Sequence, residues 1–142
     1  MTVNMKDKYE VLKQLFTDDN DISTDELLGL LSPFIKIHKT SKSIIFLDDA
    51  IKQSLKNKLL LFLLGKKVLF LVGQLETDHV KPKDIIEETG IPKGSVLPTL
   101  KLLKEPKGGS LVSSDSTGCY ITSYQVSKIK TKNILNIHEK NI

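Results

Sequence analysis

The chain has 142 residues, 39% of them hydrophobic, which is enough for one well-buried core and too little for a large multi-site enzyme. Its formal net charge is +4, and all 21 basic residues are lysines. A single cysteine excludes an intrachain disulfide, and the three scattered histidines lack metal-ligand spacing. The composition therefore predicts a soluble, cytoplasmic protein with no metal and no cofactor.

The charges are unevenly distributed along the chain. Residues 1–50 hold 6 lysines and 9 acidic residues, a net charge of −3, whereas residues 51–142 hold 15 lysines and 8 acidic residues, a net charge of +7. A basic half is typical of a protein that binds a polyanion such as nucleic acid. Because arginine is absent, any reading of a DNA groove would depend on lysine, serine and threonine.

The N-terminal part of the chain begins with a predicted amphipathic helix at residues 6–16. The acidic residues at 18–21 lack the glycine and glutamate of a calcium loop and are interpreted as a solvated loop. Ser23 and Glu26 have the spacing of a capping box, which predicts a helix over residues 24–31. The apolar residues of the first helix are Tyr9, Leu12, Leu15 and Phe16.

A hairpin is predicted next, because residues 34–38 and 44–47 are rich in β-branched and aromatic side chains and flank the polar turn KTSK. Together with the preceding helices, this hairpin forms an N-terminal extension over residues 1–50. One interpretation is that the extension senses a ligand or a partner, although no polar cluster in it identifies a ligand.

A long apolar helix is predicted from Asp49 to about Gln74, with Asp48 as its N-cap and a break near Ser54 or Gly65. Two adjacent lysines interrupt its apolar run, which is far shorter than the roughly 20 residues that a membrane span needs. A helix that is apolar around most of its circumference must be buried on several sides, either inside the domain or at a subunit interface. Its expected core residues are Leu55, Leu59, Phe62, Leu63 and Leu69.

The most informative pattern lies in residues 80–104, which predict a helix, a tight turn and a second helix. Pro82 suits the first turn of a helix, and Gly90 suits the left-handed position that follows a last turn. The second helix has one buried face, so its other face is left for a partner. The buried positions are Ile85 and Ile86 in the first helix and Val96, Leu100 and Leu103 in the second.

The second helix contains a proline, Pro98, which would disrupt a helix interior. If Ser95 is the N-cap, Pro98 falls in the first turn, where a missing amide has no helical partner. This arrangement predicts a recognition helix over about residues 95–104, whose amino-terminal end faces a DNA phosphate through backbone amides and a lysine charge. The candidate DNA-binding residues are Lys93, Gly94, Ser95, Thr99, Lys101 and Lys104.

Two short strands are predicted after this helix, at residues 111–113 and 120–122, around a loop that ends in Gly118. Helix, turn, helix and hairpin in this order are typical of a winged helix-turn-helix, whose second helix enters the major groove. The hairpin, at about residues 110–122, would be the wing. Its loop contains an aspartate and no lysine, so we expect it to contribute less to DNA binding than the helix.

A family resemblance rests on two segments, GSVLPTLKLLKEPKGGSLV and GCYITS. They resemble the recognition helix and the wing of the PadR and MarR classes of transcription regulators, and the resemblance covers roughly residues 54–124. It implies a homodimer that binds a pseudo-palindromic operator in double-stranded DNA. The predicted fold is α+β and mostly helical, with a winged helix-turn-helix domain at residues 51–124 and a C-terminal helix and tail at 125–142.

No feature of the sequence indicates catalysis: it shows no convincing nucleophile beside a base, paired carboxylates or glycine-rich phosphate loop, so the chain is not expected to be an enzyme. Cys119 lies in a predicted strand of the wing and is interpreted as a small buried residue. His38 and His79 lie beside turns and are interpreted as solvated or structurally bonded.

Two functions are left open for the helix-turn-helix. It binds DNA as a transcription regulator, or it is a protein-interaction module in a nucleic-acid-processing or other assembly. The lysines at 93, 101 and 104 favour DNA. Leu97 and Leu102, if exposed together, would favour a protein groove.

Overall fold

The computed structural model describes residues 24–135 and shows an α+β, mostly helical arrangement, as predicted. The predicted helix at 6–16, the acidic loop at 18–21 and the end of the tail lie outside the described residues. The described elements are α1 (Thr24–Leu31), β1 (Ile35–Ile37), β2 (Ile44–Phe46), α2 (Asp48–Ile51), α3 (Leu55–Leu71), α4 (Pro82–Thr89), α5 (Lys93–Lys104), a 3-10 turn (Pro106–Gly108), β3 (Ser113–Asp115), β4 (Gly118–Tyr120) and α6 (Ser123–Thr131).

Helix α3 is the centre of the core, where α1, the first hairpin, α5 and β4 pack around it. Each of residues 59–64 is at most 2% exposed, so the helix is buried around its whole circumference there. The helix begins after Ser54, whose hydroxyl accepts a hydrogen bond from the Asn57 amide at 3.2 Å. The chain therefore breaks at Ser54, and Gly65 stays helical. Of the predicted core residues, Leu55 is half-buried and the other four are buried.

The first hairpin is confirmed, with Ile35 opposite Phe46 and Ile37 opposite Ile44. The predicted N-cap at Asp48 is wrong: Asp48 is the first residue of α2, and Leu47 occupies the cap position. The reason is that the Leu47 amide still donates to the Phe34 carbonyl at 2.7 Å, so the hairpin passes directly into the helix.

The helix–turn–helix segment is confirmed, with Gly90 in the left-handed region at φ 74° after α4. The predicted N-cap at Ser95 is wrong, because α5 begins at Lys93 and Pro92 holds the cap position. The Val96 amide donates to the Pro92 carbonyl at 3.0 Å, which closes a helical turn before Ser95 could act as a cap. The helix therefore begins three residues earlier than a cap at Ser95 would place it, and Pro98 lies inside it.

The second hairpin is present, but its strands lie closer to the tip than predicted. The amides of Leu111 and Val112 donate to the Leu103 carbonyl at 2.8 and 3.3 Å, so these residues attach to the end of α5 instead of pairing as a strand. On the other side, Thr122 is the N-cap of α6, which confirms a helix at the start of the tail. Within residues 24–135, no helix combines the length and apolar character needed to cross a bilayer.

Candidate nucleic-acid interface

An exposed stripe on α5 consists of Lys93, Leu97, Lys101 and Lys104, which we call the α5 stripe. These positions follow one another at spacings of four, four and three residues, so they lie within about 80° of one another around the helix axis. The buried positions Val96, Leu100 and Leu103 are at most 3% exposed and fix the rotation of the helix. The packing of α5 therefore presents three lysines to solvent on one side.

The outermost line of α5, beside the stripe, is formed by Gly94 and Pro98. Neither side chain can form a hydrogen bond, and Pro98 has no N–H to donate to the Gly94 carbonyl four residues earlier. This line therefore permits close approach of another molecule and supplies backbone rather than side-chain polar groups.

Two predicted contact residues lie away from the α5 stripe. Ser95 and Thr99 are half-buried and lie on the opposite flank of the helix. The Thr99 hydroxyl donates a hydrogen bond to the Ser95 carbonyl at 2.7 Å, so its O–H already has an acceptor within α5. The structure thus brings Lys93, Lys101 and Lys104 together with Gly94 beside them, and it does not bring Ser95 and Thr99 to the same side.

The exposed leucines of α5 do not form a shared patch. Leu97 is 40% exposed and Leu102 is 37% exposed. They are five residues apart, which places them about 140° apart around the helix. Leu97 lies among the lysines, whereas Leu102 lies against the 3-10 turn, where a Cβ on Gly108 would be 3.1 Å from its γ-carbon.

The tip of the second hairpin carries the negative charge of Asp115, whose carboxylate is held by hydrogen bonds from its neighbours. The Asp115 carboxylate accepts hydrogen bonds from the Thr117 amide at 2.8 Å and the Thr117 hydroxyl at 2.5 Å. These bonds lower the pKa of Asp115, and nearby His79 lowers it further. The tip is therefore a poor place for a phosphate.

His79 joins the hairpin to the start of α4. Its Nδ1 lies 2.6 Å from the Thr117 hydroxyl, and its ring stacks on Tyr120 with centroids 3.9 Å apart. Residue 80 continues this connection, because the amide and carbonyl of Val80 pair with those of Cys119 at 2.8 Å each. Of the two roles that the sequence left open for His79, solvated or structurally bonded, the structure shows the second, with partners that lie far along the chain.

Three further lysines are exposed: Lys81 and Lys83 lie at the start of α4, and Lys107 lies in the 3-10 turn. Cations at the start of a helix are unfavourable next to its dipole. The first turn of α4 also holds Asp84, whose negative charge is favourable there.

Cys119 is 3% exposed, and burial raises the pKa of its thiol more strongly than the charge of Lys104 lowers it. We expect a thiol-specific disulfide reagent to label the native protein on the order of 10² times more slowly, or slower still, than the protein unfolded in guanidinium, since labelling requires local opening. Equal rates in stopped-flow or absorbance assays would show that the thiol is accessible in the native state.

Among the residues that the structure describes, no group of three or more histidine, cysteine or acidic side chains is placed to hold a metal ion. In comparisons with protein-family models, curated proteins and solved structures, nothing matched this chain. The functional conclusion therefore depends on the geometry of the α5 surface and on the charges around it.

Proposed function

We propose that this protein binds double-stranded DNA through α5 and acts as a transcription regulator of the winged helix-turn-helix type, with the β3–β4 hairpin as the wing. The observation that carries the proposal is the α5 stripe, which presents Lys93, Lys101 and Lys104 on one exposed side of the second helix of the pair. In helix-turn-helix proteins, the second helix lies in the major groove.

The arrangement around α5 supports this proposal. Residues 90–92 join α4 to α5, and a turn of three to four residues is usual in the helix-turn-helix motif. The pairing of Val80 with Cys119 ties the hairpin to the start of α4 and so holds it close to the helix pair. A helix in the groove and a hairpin beside it would then contact DNA as one rigid unit.

The chemistry of the surface indicates how DNA would be bound. Lysine is a mobile point charge suited to phosphate, and Gly94 and Pro98 offer no side-chain donors to the bases. We therefore propose that affinity comes mainly from phosphate contacts and that sequence preference comes in part from the shape of A·T-rich DNA. The resemblance to PadR and MarR regulators adds a homodimer and a pseudo-palindromic operator to the proposal.

The competing function is a protein-interaction module, and the exposure of Leu97 is the observation that favours it. A protein groove needs a contiguous apolar surface. Leu97 is flanked by lysines along the α5 stripe, and Leu102 lies on another side of the helix, so DNA remains the better proposal.

The test is fluorescence anisotropy with a duplex of random sequence across a salt series. The wild type should lose affinity steeply with salt, by roughly 0.9 logarithmic units per decade for each phosphate neutralised. A variant with Lys93→Ala, Lys101→Ala and Lys104→Ala should bind more weakly, and its slope should be smaller by up to about 2.7, three times that value.

The matched control replaces three exposed lysines that lie outside the helix-turn-helix pair, Lys36, Lys39 and Lys52, with alanine. It removes the same charge and should keep most of the affinity and slope. If both triple variants lose slope equally, the binding is non-specific attraction to the whole protein. If the wild type does not bind at low salt, the DNA proposal is wrong and the α5 surface should be tested for a protein partner.

A further inference from the structure

A polar depression lies between the end of α5 and the base of the second hairpin, and we call it the hairpin-base depression. It is open to solvent and has a volume of about 500 Å³. Among the described residues, no acidic side chain lines it, although Glu105 and Asp115 are neighbours in sequence of residues that do. Val112 is apolar, and the polar lining residues are Lys104, Ser110, Ser113, Ser114, Tyr120 and Gln125.

Three hydroxyls and one cation of this depression have no partner within residues 24–135. The side chains of Ser110, Ser113 and Ser114 form no hydrogen bond with that part of the chain, and Lys104 forms no ion pair with it. Lys104 lies close to the hairpin, because its charge acts on the thiol of Cys119 in β4. These hydrogen-bond donors and this charge are therefore available to a ligand.

The surroundings of the depression favour a negatively charged ligand. Among the described strands β3 pairs only with β4, so its other edge has backbone groups that the sheet does not use, and sheet edges can form concave sites for anions. Gln125 is the third residue of α6, so the positive end of that helix dipole lies at the depression. The acid nearest to it on β3, Asp115, is held at the tip by Thr117.

We propose that the hairpin-base depression binds a phosphate group, with Lys104 supplying positive charge and Ser113 and Ser114 donating hydrogen bonds. Serine hydroxyls and lysine are common contacts of phosphate oxygens in complexes with DNA. A phosphate has several oxygens that accept hydrogen bonds, which suits a surface where hydroxyl donors and an ammonium group converge without an opposing carboxylate.

The identity of the phosphate rests on the proposed function: it is a backbone phosphate of the DNA whose groove α5 would enter. Lys104 belongs both to the α5 stripe and to the hairpin-base depression, so the two surfaces are continuous. The DNA backbone would then cross the base of the wing, and the tip with Asp115 would stay clear of it. A small phosphate ester has the same chemistry and is the other source to be tested.

The first test compares two glutamate substitutions on the same hairpin, Ser114→Glu in the depression and Ser116→Glu at the exposed tip. Both add one negative charge and leave the lysines of the α5 stripe unchanged. In fluorescence anisotropy at low salt, Ser114→Glu should weaken binding to a random-sequence duplex by about tenfold, because a carboxylate would face a phosphate. Ser116→Glu should bind nearly as well as the wild type. Ser114→Ala, which adds no charge, should cause a smaller loss than Ser114→Glu.

The second test needs no DNA and so remains informative if the proposed function fails. In an NMR titration with inorganic phosphate, the amide signals of Ser113 and Ser114 should shift and saturate, and sodium chloride at equal ionic strength should not reproduce the shifts. Ser114→Glu should abolish them, and Ser116→Glu should keep them.

The outcomes separate the two sources of phosphate. Saturable shifts without a selective loss of DNA binding in Ser114→Glu would support the site and assign it to a small phosphate ester. A selective loss of DNA binding without such shifts would support a backbone phosphate that binds only as part of a duplex. If phosphate causes no specific shift and the two glutamate variants bind DNA equally, the proposal is overturned.

Discussion

Replacing Lys67 with methionine is expected to lower the free energy of unfolding by about 3–5 kcal/mol, because it leaves a buried carboxylate without its lysine. The Lys67 side chain is 1% exposed, and its Nζ lies 3.5 Å from Oδ2 of Asp78, whose side chain is 10% exposed. Methionine keeps the length and apolar stem of the lysine, so the change removes mainly the charge. Urea unfolding followed by circular dichroism measures the loss.

The neighbouring lysine supplies a matched control. Lys66 forms a shorter ion pair, 2.7 Å from Glu88, but the Glu88 side chain is 39% exposed. Lys66→Met should therefore cost only about 0–1 kcal/mol from the lost pair, because water can solvate the remaining carboxylate. In addition, Lys67→Met combined with Asp78→Asn should be more stable than Lys67→Met alone. The loss caused by Asp78→Asn alone completes the comparison. If the loss in the double variant equals the sum of the losses in Lys67→Met and Asp78→Asn, the two side chains are not coupled and the explanation is wrong.

A second large effect is expected at Gly118, where alanine should destabilise the protein by about 3–5 kcal/mol through backbone strain and overpacking. Gly118 has φ 139°, a conformation that side chains rarely adopt. An added Cβ would also lie 2.6 Å from the carbonyl carbon and 2.7 Å from the carbonyl oxygen of Val80. The Val80 backbone cannot move aside without losing its pairing with Cys119. Thermal and urea unfolding measure the loss.

Gly90→Ala separates the two causes of that loss. Gly90 also has a positive φ, 74°, but no described atom lies within 4 Å of a Cβ built there. Its replacement should cost only about 1–2 kcal/mol, the cost of the left-handed conformation. Similar losses for both variants would mean that the close approach of the added Cβ to Val80 adds nothing to the cost of the Gly118 substitution.

The elements that the sequence predicted correctly are those with a local physical signal. Gly90 marks the end of α4 because only the left-handed conformation fits there, and the polar KTSK turn separates two apolar strands. The error at Ser95 arose because two caps compete within four residues. Pro92 has its φ fixed by its ring and starts the helix earlier, so the local preference of serine did not decide the boundary.

The features that could not be predicted depend on contacts between distant parts of the chain. Lys66 and Lys67 are adjacent in sequence and equally interrupt an apolar run, yet one faces a half-exposed glutamate and the other is buried beside Asp78. In the candidate site, the lysines of the α5 stripe followed from helical periodicity. The flank of Ser95 and Thr99 follows from the same periodicity, but Ser95 was expected to act as the N-cap at the entry to the helix, and α5 begins two residues before it.

The pairing of Val80 with Cys119 also bears on how the protein folds. Strands of three residues, such as β3 and β4, are marginal on their own, and the loop that must close to bring Cys119 to Val80 contains both helices of the helix-turn-helix pair. A β-hairpin forms in about 1–10 µs, whereas a helix forms in about 0.1–1 µs. On a growing chain, both helix segments are synthesised before Cys119, so the pairing of Val80 with Cys119 can form only after α4 and α5 have been made.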